Sequence, residues 1–251
     1  AEDLKRQGFE KVHFGGIPAV DWLVPTGRDL SLCPDMPMVA LLPGSRIPEA
    51  MNNFKLQMRF VQEVVRRREA PVQFRAALVP ALMAELAHLA DDMDWHYADG
   101  RLTCPLETGE TAEILCYDDA FTDIVCGPTL VIGMAGLAVA QAVAIGKPVI
   151  QIPGEGPQFN YAFAEAENRM LGPSVQTIGT GPADAETLQE AAQRLGETLA
   201  NTAYLEDCKT LGQTRLGSPG ASSRIVHLIL SNLEGGARPH PSLQSQLSVG
   251  S

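Results

Sequence analysis

From residue 38 onward the chain alternates between short, uniformly apolar runs and longer stretches whose apolar residues recur at helical spacing. Met38, Val39, Ala40, Leu41 and Leu42 form one such run, the pattern of a strand covered on both faces. Residues 43–46 then read as a sharp loop, and residues 48–68 as a helix with Phe54, Met58, Val61, Val64 and Val65 on its buried side. The alternation predicts further strands at 72–76, 95–97, 114–117, 130–132, 149–152 and 175–178. Helices are predicted at 81–89, 120–125, 137–145 and 158–170, with three more at 185–200, 202–211 and 221–233. Ahead of this region, residues 4–7 read as the end of a helix, 12–14 as a short strand and 15–37 as a turn-rich connection between domains. Residues 235–251, rich in Gly, Pro, Ser and Gln, predict a disordered tail.

Strand–helix–strand repetition at this pitch calls for right-handed crossovers, so the predicted fold class is α/β, a Rossmann-like doubly wound parallel sheet. With 251 residues and 45% hydrophobic content the chain can bury one sizeable core. Charge narrows the choice of partner. A net charge of −11 repels polyanions, so nucleic acid is not an expected partner, although a local basic pocket for one diphosphate remains compatible. Arg66, Arg67 and Arg68 cluster where the first long helix ends, a position that favours cations through the helix dipole. The five cysteines (33, 104, 116, 126 and 208) are odd in number and lack C-x-x-C spacing, which suggests neither a disulfide framework nor a zinc site and fits a cytoplasmic location. No signal-peptide pattern is present, and no apolar run reaches the roughly 18 residues of a membrane span. The chain opens on Ala1 in what reads as an ongoing helix, so a fragment or a processed product is expected.

In open α/β sheets ligands sit beyond the carboxyl ends of the strands, near helix N-termini. Three loops meet that description. Gly44, Ser45 and Arg46 follow the first buried strand: glycine permits close backbone approach, and the hydroxyl and guanidinium offer donors to phosphate oxygens. Glu49 follows in the first helical turn, where a carboxylate suits the dipole. A plain strand-to-helix turn explains the same residues. Gly133, Met134, Ala135 and Gly136 leave the next helix open to an anion, but such small-residue turns also serve tight packing. In the third loop, residues 153–160, Gln158 and Asn160 have the chemistry to bond a sugar or ribose, and equally the chemistry to cap a helix. Ser45 has no adjacent histidine or lysine in a nucleophile motif, and the five histidines lack ligand spacing, so no metal or other cofactor is expected. Asp91, Asp92 and Asp94 read as solvated surface, and Asp118-Asp119 as an N-cap before Ala120.

The order of these pieces resembles lipid-A-disaccharide synthase and, more closely, the proteins related to it. The resemblance rests on residues 42–46 with Glu49, on 131–136, on 146–154 (GKPVIQIPG), on 156–166 (GPQFNYAFAEA), on 171–175 (LGPSV) and on Pro219-Gly220-Ala221-Ser222 ahead of Arg224-Ile225. It implies the C-terminal, donor-binding half of a GT-B architecture, with residues 1–18 a remnant of an acceptor domain, 19–37 a linker and 38–234 the nucleotide-sugar domain. It also implies that Gly44, Ser45 and Arg46 face a UDP-sugar diphosphate without a metal ion, that Gly133 to Gly136 and Gln158 face the donor, and that the acceptor is a lipid or glycolipid, with peripheral association at the inner membrane face. Two departures stand out. Only residues 1–18 resemble the acceptor domain, so the chain is expected to lack most of it, and half a cleft cannot orient an acceptor. The family's Ala-Gly-Thr-Ala-Thr, with a Glu after it near the donor ribose, is here Ala135-Gly136-Leu137-Ala138-Val139-Ala140, leaving Gln141 as the nearby polar residue. A lost ribose bond costs about 0.5–1.5 kcal/mol. The expected function is therefore a glycosyltransferase donor domain, incomplete as an isolated chain. The alternatives are a non-catalytic nucleotide-binding or scaffold relic of that family and, with less support from acid–base residues, a sugar-nucleotide epimerase.

Overall fold

The computed structural model describes residues 2–9, 11–68, 71–133, 136–156 and 160–234. Its strands are β1 (Met38–Leu42), β2 (Gln73–Ala77), β3 (His96–Ala98), β4 (Arg101–Pro105), β5 (Thr111–Tyr117), β6 (Leu130–Gly133), β7 (Val149–Gln151) and β8 (Val175–Thr177). They form one sheet in the order β3-β4-β5-β2-β1-β6-β7-β8. From β5 to β8 all neighbours are parallel, while β3 and β4 add an antiparallel edge. The chain winds outward from β1 in one direction through β2 and β5, then returns to β6 and winds the other way. The switch point of this doubly wound sheet lies between β1 and β6, as the α/β reading anticipates.

Both faces are covered because β1 and β6 are apolar on both sides. Val39, Leu41, Leu130 and Ile132 pack against α2 (Glu49–Arg67), α4 (Leu86–Asp92) and α8 (Ala185–Ala200); Ala40, Leu42 and Val131 pack on the opposite face with α5 (Phe121–Cys126) and α6 (Gly136–Ala144). Phe54, Phe60, Phe74 and Leu41 are fully buried, each contributing about 1.5–3 kcal/mol relative to an exposed position. The other helices are α1 (Glu2–Arg6), α3 (Pro80–Met83), α7 (Tyr161–Leu171), α9 (Thr202–Leu216) and α10 (Ala221–Glu234), with a 3₁₀ turn at Pro18–Trp22. No helix among the described residues is long and apolar enough to cross a membrane.

Several sequence expectations change. Residues 12–14 form no strand; the segment instead runs to the end of α9, where the Ile17 amide donates to the Leu216 carbonyl. The helix expected at 81–89 is two short helices, α3 and α4, and the helix expected at 202–211 continues to Leu216. Strand β4 was not anticipated, because its alternating exposure and Pro105 lack a buried-strand signature. Asp118 and Asp119 do not cap α5; Ala120 occupies the cap position without a side-chain bond, and Asp119 pairs with Arg28 at 3.1 Å. The tail at 235–251 lies outside the described residues.

The stretch before β1 is held against the sheet domain by long-range polar anchors. The Asp123 carboxylate accepts from the Thr26, Gly27 and Arg28 amides and the Thr26 hydroxyl. Burial works to raise this carboxyl, but those donors outweigh it and hold the group below the ordinary carboxylate range. Buried Arg75 donates to the Leu30 and Ser31 carbonyls. Asp21 accepts from the Gly220, Ala221 and Ser222 amides at the start of α10; these bonds, led by Ser222, lower its pKa to about 2.

Candidate functional site

A cavity of about 760 Å³ opens beyond the carboxyl ends of β1, β2, β5 and β6, at the switch point. Its wall brings together Gly44, Ser45 and Arg46 from the turn after β1, Leu78, Val79 and Pro80 after β2, and Asp118 and Phe121 after β5. Gly136, Leu137, Ala138 and Gln141 come from the first turns of α6, and Phe163 from α7. Each loop arrives because its strand is locked in register: Leu42 pairs with Gly133, Leu41 with Ala76, and Ala77 with Tyr117.

Gly44 has φ +105°, a left-handed conformation that a side chain would strain, so this turn is built for glycine. Ser45 and Arg46 stand exposed beyond it. Behind the turn, buried Asn53 donates to the Pro43 carbonyl at 2.9 Å, and Gln57 donates to the Ile132 carbonyl at 3.2 Å. These two side chains, one helical turn apart on α2, tie the ends of β1 and β6 together. One cationic residue, Arg46, thus stands with the Gly44–Ser45 turn on the cavity wall, chemistry that suits an anion.

The expected site residues separate into groups. Gly44, Ser45, Arg46, Gly136 and Gln141 line the cavity. Gly133 is buried, and a Cβ there would meet Val139 Cγ2 at 2.6 Å; its small size serves the packing of α6 on β6. Glu49 begins α2 and is not part of the wall. Asn160 caps α7, its side-chain oxygen accepting from the Phe163 amide at 3.0 Å. Met134, Ala135 and Gln158 lie outside the described residues. Gln141 lines the wall, but its amide nitrogen donates to the Ala19 carbonyl at 2.8 Å, so the 3₁₀ turn is fastened to the edge of the cavity. Of the apolar positions on α6, Leu137 is 61% exposed and faces the cavity, whereas Val139 is fully buried. Sequence reasoning missed Leu78, Val79, Pro80, Asp118 and Phe121. A strand order placing β2 and β5 beside β1 would have found them.

Glu167 on α7 adds a layer behind Gly136: its carboxylate takes a hydrogen bond from Gln151, and a Cβ on Gly136 would sit 3.8 Å from its Oε1. Burial pushes this carboxyl up, with the Gln151 bond acting against it.

No protein-family profile and no curated protein matches the sequence. Solved structures share the fold. A Listeria monocytogenes protein assigned as a UDP-N-acetylglucosamine 2-epimerase matches over 95% of this chain and 59% of its own, with a TM-score of 0.56 and 19% identity. MnaA of S. aureus, in a co-structure with UDP, matches over 93% of this chain and 57% of its own, with a TM-score of 0.52 and 16% identity. At such identities the likeness is one of fold: a Rossmann-like α/β domain of the GT-B kind. The chain spans less than two thirds of the length of either structure.

Proposed function

We propose that the chain is the donor-binding part of a sugar-transfer protein and that its cavity holds a nucleoside diphosphate sugar, UDP-linked. One observation carries the reading: the switch-point cavity gathers the Gly44–Ser45–Arg46 turn and the N-terminal turn of α6 on one wall. A fold relative solved with UDP is in keeping with it. Arg46 and the turn amides would take the diphosphate and stabilise it as it leaves, without a metal ion. Transfer to a lipid or glycolipid acceptor, of the lipid-A-disaccharide synthase type, would need a second domain to orient that acceptor, and would take place in the cytoplasm or at the inner membrane face. Isothermal titration of UDP tests the reading. Saturable heat below millimolar UDP is expected, and silence at millimolar UDP would overturn it.

A second reading, a nucleotide-binding relic without transfer chemistry, is favoured by Leu137, which puts an apolar side chain where a hydroxyl would serve a ribose. Turnover of a UDP-sugar by the chain joined to an acceptor domain would exclude the relic; tight UDP binding without turnover would favour it.

A further inference from the structure

The cavity is polarised along the sheet, and this points to how the far end of its ligand is read. Arg46 follows β1, while Asp118 follows β5, two strands away with β2 between them. At about 4.8 Å per strand, the two loops stand roughly 10 Å apart, close to the span from a diphosphate to the edge of a nucleobase. Between them come Leu78 and Val79, the apolar residues that follow β2, and Phe121 adds a further apolar side chain on the β5 side. A phosphate is drawn to the Arg46 end and repelled from the carboxylate end, so the ligand has one direction in which to lie.

Asp118 is exposed, and no hydrogen bond or ion pair within the described residues engages its carboxylate. Its neighbour Asp119 is taken by Arg28, whose guanidinium also lies 5.8 Å from the centre of the Tyr117 ring. An ionised carboxylate only accepts hydrogen bonds. Uracil, thymine and guanine carry a ring N–H on the edge remote from the sugar, whereas cytosine and adenine carry a ring lone pair there.

Resting on the nucleotide reading of the cavity, we infer that Asp118 is the specificity-determining residue for the base: its carboxylate accepts the ring N–H of an imide or lactam base and turns away bases with a lone pair at that position. A hydrogen bond to a charged group supports a preference of at least about tenfold.

The test is calorimetric titration of the full chain with UDP, CDP, dUDP and inorganic pyrophosphate, repeated on Asp118→Asn, with melting curves confirming that the variant folds. The inference expects UDP to bind at least about tenfold tighter than CDP, and dUDP to follow UDP. It expects Asp118→Asn, whose amide can both donate and accept, to bring UDP and CDP within about threefold while leaving pyrophosphate unchanged. Equal binding of UDP and CDP by the unmodified chain overturns it, as does a preference that survives Asp118→Asn. A large loss from UDP to dUDP that disappears in the variant assigns Asp118 to the ribose and also overturns it. Pyrophosphate binding without base preference fells this inference alone, whereas silence from all four ligands fells the nucleotide reading with it.

Discussion

Two strand-to-helix connections stand side by side at the switch point, after β1 and after β6, and glycine figures in both. They use it for opposite ends. At Gly44 the backbone takes a left-handed φ of +105°, and Ser45 and Arg46 beyond it are exposed on the cavity wall. At Gly133 the space a Cβ would fill already belongs to Val139 and Val149, at 2.6 and 3.2 Å. The first turn presents chemistry; the second lets α6 descend onto the sheet so that Gly136 and Leu137 reach the same cavity. Glycine in a loop of this kind therefore does not identify a site by itself, because at Gly133 it serves packing.

The contrast can be broken from either side. The largest effect is expected at Gly133→Ala, where overpacking should lower stability by about 1–3 kcal/mol, read as a drop in the denaturant midpoint. Arg46→Ala should move that midpoint less than Gly133→Ala does while weakening UDP about tenfold or more, as loss of a charge-assisted bond implies. Gly44→Ala falls between, with a strain of about 1–2 kcal/mol and weaker UDP binding together. A smaller effect separates two positions of α6. Leu137→Thr should strengthen UDP by about two- to tenfold, in keeping with one added hydrogen bond of about 0.5–1.5 kcal/mol. Val139→Thr should not strengthen it at all, since Val139 is buried against β6, and should cost stability instead.

The smallest effect concerns the anchored segment before β1. Asp21 sits at about 2, below its ordinary 3.8, so its bonds to the start of α10 contribute stability above pH 4 that is lost as pH falls through about 2. Asp21→Asn should flatten the fall in melting temperature across that window, with little change at neutral pH in the slope against pH.

The parts of this molecule that the sequence exposes are those written in local periodicity. Strands β1 and β6 announce themselves by apolar runs, and α2 by its spacing, because each is buried wholesale. β4 escapes because an edge strand exposes alternate residues, and α3 and α4 read as one helix because their shared apolar face spans the break. The anchors made by Asp21, Asp123 and Arg75 link residues 44 to 201 positions apart, and nothing local marks them. The position of the Gly44–Arg46 turn beyond a buried strand follows from local sequence, whereas that of Asp118 and Phe121 on the same cavity depends on strand order, which sequence spacing does not encode.

The most direct test of the central claim, that the wall formed by the β1 turn and the head of α6 receives a diphosphate, is to follow backbone amide resonances while UDP is titrated into the isotopically labelled chain. Saturable shifts at Ser45, Arg46 and Gly136, with the Lys55 and Gly181 amides unmoved, are the predicted outcome. Saturation with those three amides silent, or shifts centred elsewhere on the molecule, would contradict it.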